Sequence, residues 1–244
     1  MEWQDEGLVV GARKYGEAAV ILELMTRAHG RHLGVVRGGR SRALRPVLQP
    51  GNLVAATWRA RLEDHMGAFA VEPLANRAAR YLDRGAALHG VALLAALLRL
   101  LPERDPQDAL FEMANDIAAR LDRADAAAPL MARFELALLA ALGFGLDLAC
   151  CALTGGRDDL AFVSPKSGRA VSRAAGAPWD GRLLPYPRFL QDDADSAPTS
   201  EIIDAFRLTG HFLVRDVLGP RGGAMPASRA LYLDALRERF PPKL

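Results

Sequence analysis

Two periods of apolar residues divide the chain. Up to about residue 75 they come in short aliphatic and β-branched runs, GLVVGA, EAAVILELMT, HLGVVR, NLVAATWRAR and GAFAVEPL, separated by glycine or charged turns. Such runs predict five short strands. The link Thr26-Arg27-Ala28-His29-Gly30 is short and carries a glycine, as a hairpin needs where its chain reaches positive φ. Between the third and fourth runs, residues 41–51 (SRALRPVLQPG) read as a short helical link broken by Pro46 and stopped by Pro50-Gly51. Three strands, a helix and two more strands is the order of an OB-type barrel, and an SH3-like barrel shows nearly the same pattern.

After about residue 80 the period is helical. Residues 84–101 form one helix, apolar nearly all round except for His89 and Arg99, which places it in the middle of a bundle. Asp105-Pro106 starts a second helix running to about Arg123, with Asp as N-cap and Pro at the first helical position. A third spans about 128–142, a fourth runs from Pro198-Thr199-Ser200-Glu201 to about Leu218, and a fifth from Pro226 to Phe240. Residues 144–198 hold both cysteines and many turn-forming residues, so they read as an irregular insert with a small hairpin in AFVSPKSGRAV. The fold class expected is therefore α+β multidomain: a five-stranded OB-type β-barrel over residues 1–79, then an α-helical bundle over 80–244 with a loop-rich insert at about 144–198.

Composition narrows the setting. Half of the 244 residues are apolar, 31 basic side chains face 29 acidic ones, and there are two cysteines. This suits a core-forming protein and argues against disorder or a disulfide scaffold. Cys150 and Cys151 are adjacent, so an ordinary bridge between them is excluded and a four-cysteine zinc site is out of reach. The N-terminus shows no secretory pattern, and the stretch 86–101 is shorter than the roughly 20 residues that span a bilayer, so a cytoplasmic protein with no membrane partner is expected.

Charge is uneven. Residues 1–80 carry 12 Lys and Arg against 8 Asp and Glu, and the 39 residues between Glu23 and Glu63 contain no acid but eight arginines. Four of these crowd into RGGRSRALR, residues 37–45, where a glycine-containing loop lets backbone approach a phosphodiester while guanidinium forks contact its oxygens. Single-stranded DNA or RNA is the partner this favours, against a merely solvated basic face. His29 and His32 add weak positive character. Trp58, Phe69 and Tyr15 are candidate base stackers, the first two equally readable as barrel core. The apolar helix offers a floor for a partner peptide, with Arg99 or Arg104 holding a carboxylate. Phosphate-loop, nucleophile-elbow and metalloprotease spacings are lacking, and no catalytic residue is assigned.

These residues resemble a known family. GLVVGARKYGEAAVILELMTRAHGRHLGVVRGGRSR followed by LQPGNLV, and later DLACCALTGGRDDLAFVSPKSGRAVS and RLLPYPRFL, are similar to segments of the RecO family of bacterial recombination mediators. The resemblance implies an N-terminal OB fold and a C-terminal helical domain. It further implies annealing of single-stranded DNA, interaction with RecR, docking of the C-terminal tail of single-stranded DNA-binding protein (SSB) and help in loading RecA onto coated DNA. The family's basic OB loop carries over onto Arg37, Arg40 and Arg42, with Arg31 and Arg45 added on charge alone. Some relatives bind zinc through two cysteine pairs. Here Cys151 matches the first position, Thr154 stands at its partner, and no cysteine lies near Val171 to Ala174, so neither metal nor cofactor is expected. The hairpin is read as a metal-free remnant held by Phe162, Val163 and Val171. The alternatives are a general single-stranded DNA- or RNA-binding protein without a mediator role, and a small-molecule enzyme using the insert.

Overall fold

The computed structural model describes residues 1–62, 64–179, 181–192 and 197–239, so Glu63, Phe240 and part of the expected insert lie outside the described residues. The chain packs as two compact units, Met1–Arg123 and Ala124–Leu244.

Strands β1 (Glu2–Tyr15), β2 (Ala19–Thr26) and β3 (Gly30–Val36) form consecutive antiparallel pairs. A short helix α1 (Leu44–Val47) follows, then β4 (Leu53–Arg59) and β5 (Ala68–Ala75). The five close into a barrel in the order β1-β2-β3-β5-β4, with a parallel contact of β3 and β5 at Val35 and Ala68. This is the OB-type order with the helical link in the expected place. Gly30 has φ 64°, as the hairpin requires, and a Cβ there would lie 2.1 Å from the carbonyl oxygen of Asp105.

β1 is longer than the apolar run that announced it. Residues 2–8 pair with β4 and residues 7–15 with β2, so one strand serves both neighbours by bending at a bulge between Val9 and Gly11. Its polar first half escapes a search for buried runs because alternate positions face solvent. Val9 joins the barrel core with Leu22, Leu24, Val54, Trp58 and Phe69. Leu8 and Val10, on the other face, are buried all the same, because α2 (Gly85–Leu98) and α3 (Asp108–Arg120) pack on this strand.

That packing corrects one expectation. The most apolar helix lies against the barrel, in the first compact unit, and is not the centre of a helical bundle. The expected boundary near residue 80 marks where strand gives way to helix along the chain, while compactness groups α2 and α3 with the barrel. Asn52 fastens the barrel end: its amide nitrogen donates to the carbonyls of Pro46 (2.8 Å) and Val47 (3.0 Å), and its oxygen accepts from the backbone N–H groups of Arg77 and Ala78. α3 begins at Asp108, after Gln107 and not at Asp105-Pro106, because Arg104 takes a left-handed turn (φ 60°) whose N–H bonds Arg31 across to β3.

In the second unit, α4 (Ala124–Ala141) starts about one turn before the expected point, since the alanine-rich 124–128 extends it past Pro129. β6 (Leu160–Val163) and β7 (Ala170–Ser172) form the expected hairpin, and after a short helix α5 (Arg173–Gly176), β8 (Leu184–Pro185) completes a sheet in the order β7-β6-β8. α6 (Thr199–Phe212) and α7 (Ala227–Arg239) follow. α4, α6 and α7 share a buried polar knot. Glu135, fully buried, receives two hydrogen bonds from Arg229, at 2.8 and 2.9 Å, and one from the hydroxyl of Thr209. The Arg229 guanidinium also lies over the Phe206 ring, 5.1 Å from its centroid.

Candidate nucleic-acid interface

The loop leaving β3 is ordered by its own backbone. Ser41 N–H donates to the Gly38 carbonyl (2.9 Å), Arg45 N–H to that of Ser41 (3.0 Å), and the Ser41 hydroxyl accepts from Leu44 N–H (3.2 Å). Gly39 is buried, and a Cβ there would meet Val20 at 2.6 Å, so the loop sits flat on β2. Arg40 ties it to the β1–β2 turn: its N–H donates to the Ala18 carbonyl (3.2 Å) and its guanidinium to that of Glu17. A fixed backbone thus carries Arg37, Arg40, Arg42 and Arg45, all exposed. None of the four is paired with a carboxylate among the described residues. Arg13, Lys14 and Tyr15 are also exposed, on the last residues of β1, and Lys14, Arg40 and Arg45 line one cavity of about 320 Å³. Glu17, on the adjoining turn, is the acid closest in sequence to this group.

Arg31 does not join them. It pairs with Glu23 (2.8 Å) and Glu103 (3.5 Å), donates to the Leu101 carbonyl, and keeps only 14% of its side chain exposed. Arg27 is met by Glu6, Asp108 and Glu112, and Arg59 by Glu2 at 2.8 Å. The acid-free stretch therefore acquires carboxylates from elsewhere in the chain once folded; among the described residues its exposed arginines without a carboxylate are the four of the 37–45 loop and Arg61. Lys14 and Arg13 lie outside that stretch in sequence; the hairpin brings them in.

The aromatic candidates separate as cleanly. Trp58 and Phe69 are buried in the barrel core and present no face to a base, and the Trp58 indole N–H donates to the Met66 carbonyl (2.9 Å). Tyr15 is 52% exposed beside Lys14. His29 and His32 are taken up by neighbours on the barrel. His29 faces Asp5, with Nδ1 3.0 Å from a carboxylate oxygen. Burial, with Arg104 and His29 nearby, lowers the pKa of His32 to about 4, so it is neutral at pH 7. The arginines suggested for a peptide groove are engaged on the barrel: Arg99 pairs with Glu23 (2.8 Å), and Arg104 donates to the His65 carbonyl (2.9 Å).

Two family models match most of the chain. The family model described as Recombination protein O N terminal matches residues 1–77, and that described as Recombination protein O C terminal matches residues 81–223. The chain belongs to the RecO family. It is 58% identical over 242 residues to the DNA repair protein RecO of Chelativorans sp. (strain BNC1), covering 99% of this chain and 98% of the relative. The corresponding protein of Mesorhizobium japonicum is 56% identical over 239 residues, covering 98% and 94%, and that of Rhizobium etli 54% over 243 residues, covering 99% and 95%.

In this chain the cysteine segment forms a tight turn. Gly155 N–H donates to the Cys151 carbonyl (2.8 Å), Cys151 N–H to that of Gly156 (2.7 Å), and Ala152 N–H to that of Ala170 (2.8 Å). The Cys151 sulfur accepts the Ser172 N–H at 3.3 Å. Burial pushes this thiol up, but hydrogen bonds from Ser172, Thr154 and Leu153 outweigh it and bring its pKa to about 6. No group of three or more potential metal ligands occurs among the described residues, and none of the helices there is long and apolar enough to cross a membrane.

Proposed function

We propose that this RecO-family chain is a non-catalytic recombination mediator that binds and anneals single-stranded DNA and, with RecR, helps load RecA onto SSB-coated strands. The observation that carries the reading is the set of four exposed arginines, none paired with a carboxylate among the described residues, on the braced 37–45 loop of an OB-type barrel. Phosphate oxygens bound there displace condensed counterions, and base identity is read little. A strand held by its phosphates keeps its base edges free to pair, which is what annealing needs. The helical remainder is the proposed seat of the SSB tail, and the zinc-ribbon-like sheet β7-β6-β8 acts as a metal-free prop. The protein works in the cytoplasm, on the nucleoid.

The test is fluorescence anisotropy of labelled single-stranded DNA and, separately, of an SSB tail peptide, each titrated with the full chain. Binding of both, with faster annealing of complementary strands, is expected. Binding of DNA without the peptide would favour a general single-strand binder, and binding of neither would reject the proposal.

A further inference from the structure

Three cavities of the first unit meet at one residue. Gln49 lines the cationic cavity with Lys14, Arg40 and Arg45, a second of about 420 Å³ with Arg13 and Arg99, and a third of about 640 Å³. The third also shares Arg45, but its other walls are chiefly apolar, with Pro46, Pro50, Leu82 and Leu88 prominent. Leu82 is 68% exposed and Leu88 40%, a pair of large apolar side chains held open to solvent. The floor is firm: the Tyr81 hydroxyl donates to the Ala118 carbonyl at 2.5 Å, and Asn52 is saturated with hydrogen bonds.

We propose that this apolar cavity receives nucleobases of the strand whose phosphates lie along Lys14, Arg40 and Arg45. The inference rests on the DNA-binding reading above and names a subsite for it. A base is tied to its phosphate by a short sugar linkage, so a cationic cavity and an apolar one sharing Arg45 and Gln49 suit the two ends of one nucleotide. A row of several cations leading to the entrance matches a polyanion better than a single peptide carboxylate. Apolar walls bury the flat face of any base, so the site discriminates nucleotide from bare backbone and not one base from another. The exposed side chain of Asn76, at the rim, offers an amide to a base edge.

The full chain is titrated with a labelled thymidine oligomer and with an oligomer of the same length built of abasic nucleotides, which keeps every phosphate. Wild type should bind the thymidine oligomer roughly tenfold more tightly, which corresponds to burying on the order of 50–60 Å² of base face against apolar side chains. Leu82→Ser with Leu88→Ser, both at exposed positions, should erase most of that preference and leave abasic binding and its salt dependence unchanged. Equal binding of the two oligomers by wild type would overturn the subsite and leave the DNA-binding reading intact. A double variant that keeps the preference would also overturn it, and would leave the groove to a protein partner. If wild type binds neither oligomer, the DNA-binding reading itself falls.

Discussion

Replacing Arg37, Arg40, Arg42 and Arg45 together by alanine removes four guanidinium groups that have no carboxylate partner among the described residues. Each phosphate neutralised on single-stranded DNA contributes about 0.7 to the slope of log affinity against log salt, so four contacts amount to about 2.8. Extrapolated from a 1 M reference to 0.2 M salt, that slope is worth roughly 100-fold in affinity. The comparison is Arg27→Ala with Arg59→Ala, which removes two arginines of the same acid-free stretch that are already paired with Glu6, Glu112 and Glu2. Anisotropy titrations of a labelled oligomer between 0.05 and about 0.4 M salt give both slopes, and circular dichroism confirms that both variants fold. The quadruple variant should lose between about 2 and 3 units of slope, and the paired-arginine variant less than about 0.5. Equal losses would show that ion pairing does not decide which arginines meet DNA, and an unchanged slope in the quadruple variant would remove the loop from the interface.

Arg229→Met strands the buried carboxylate of Glu135 with Thr209 as its hydrogen-bond donor and should cost about 3–5 kcal/mol, whereas Glu135→Leu with Arg229→Met should restore most of it; thermal melts decide, with a drop of roughly 10 °C expected for the single variant. Metal analysis of the purified protein should find no stoichiometric zinc, and about one zinc per chain, lost on unfolding, would contradict the remnant reading of residues 151–175. His32 has a folded pKa of about 4 against 6.5 ordinarily, so its stabilising neutrality is complete above pH 6.5 and is lost as pH falls toward 4, up to about 3 kcal/mol. His32→Phe should flatten the stability curve in that window, and chemical denaturation at pH 4.5 and 7.5 would show an unchanged curve if the assignment is mistaken.

Much of the architecture was legible because it follows from local periodicity. The five strands, the helical link and the insert hairpin each bury one face or one run, and such patterns survive in any tertiary setting. Helix starts were less legible: α4 begins before its proline, and the first turn of α3 gives way to a backbone bond between Arg104 and β3. The candidate interface was half legible. Arg37, Arg40, Arg42 and Arg45 stand on a loop too short to bring its own acids, so their crowding in sequence persists in space.

The sequence by itself determined that a small barrel precedes helices and that positive charge concentrates before residue 64, since composition and spacing are properties of the chain alone. Only the tertiary structure decided which of those charges remain available. Glu6, Glu23, Glu103 and Glu112 reach Arg27 and Arg31 through strand pairing and helix packing, a matter of distance in three dimensions that a count along the chain does not contain. The same holds for the most apolar helix. Hydrophobicity on every side demanded burial but did not name the partner, and the outer face of β1, with Leu8 and Val10 otherwise exposed, was the surface that needed covering.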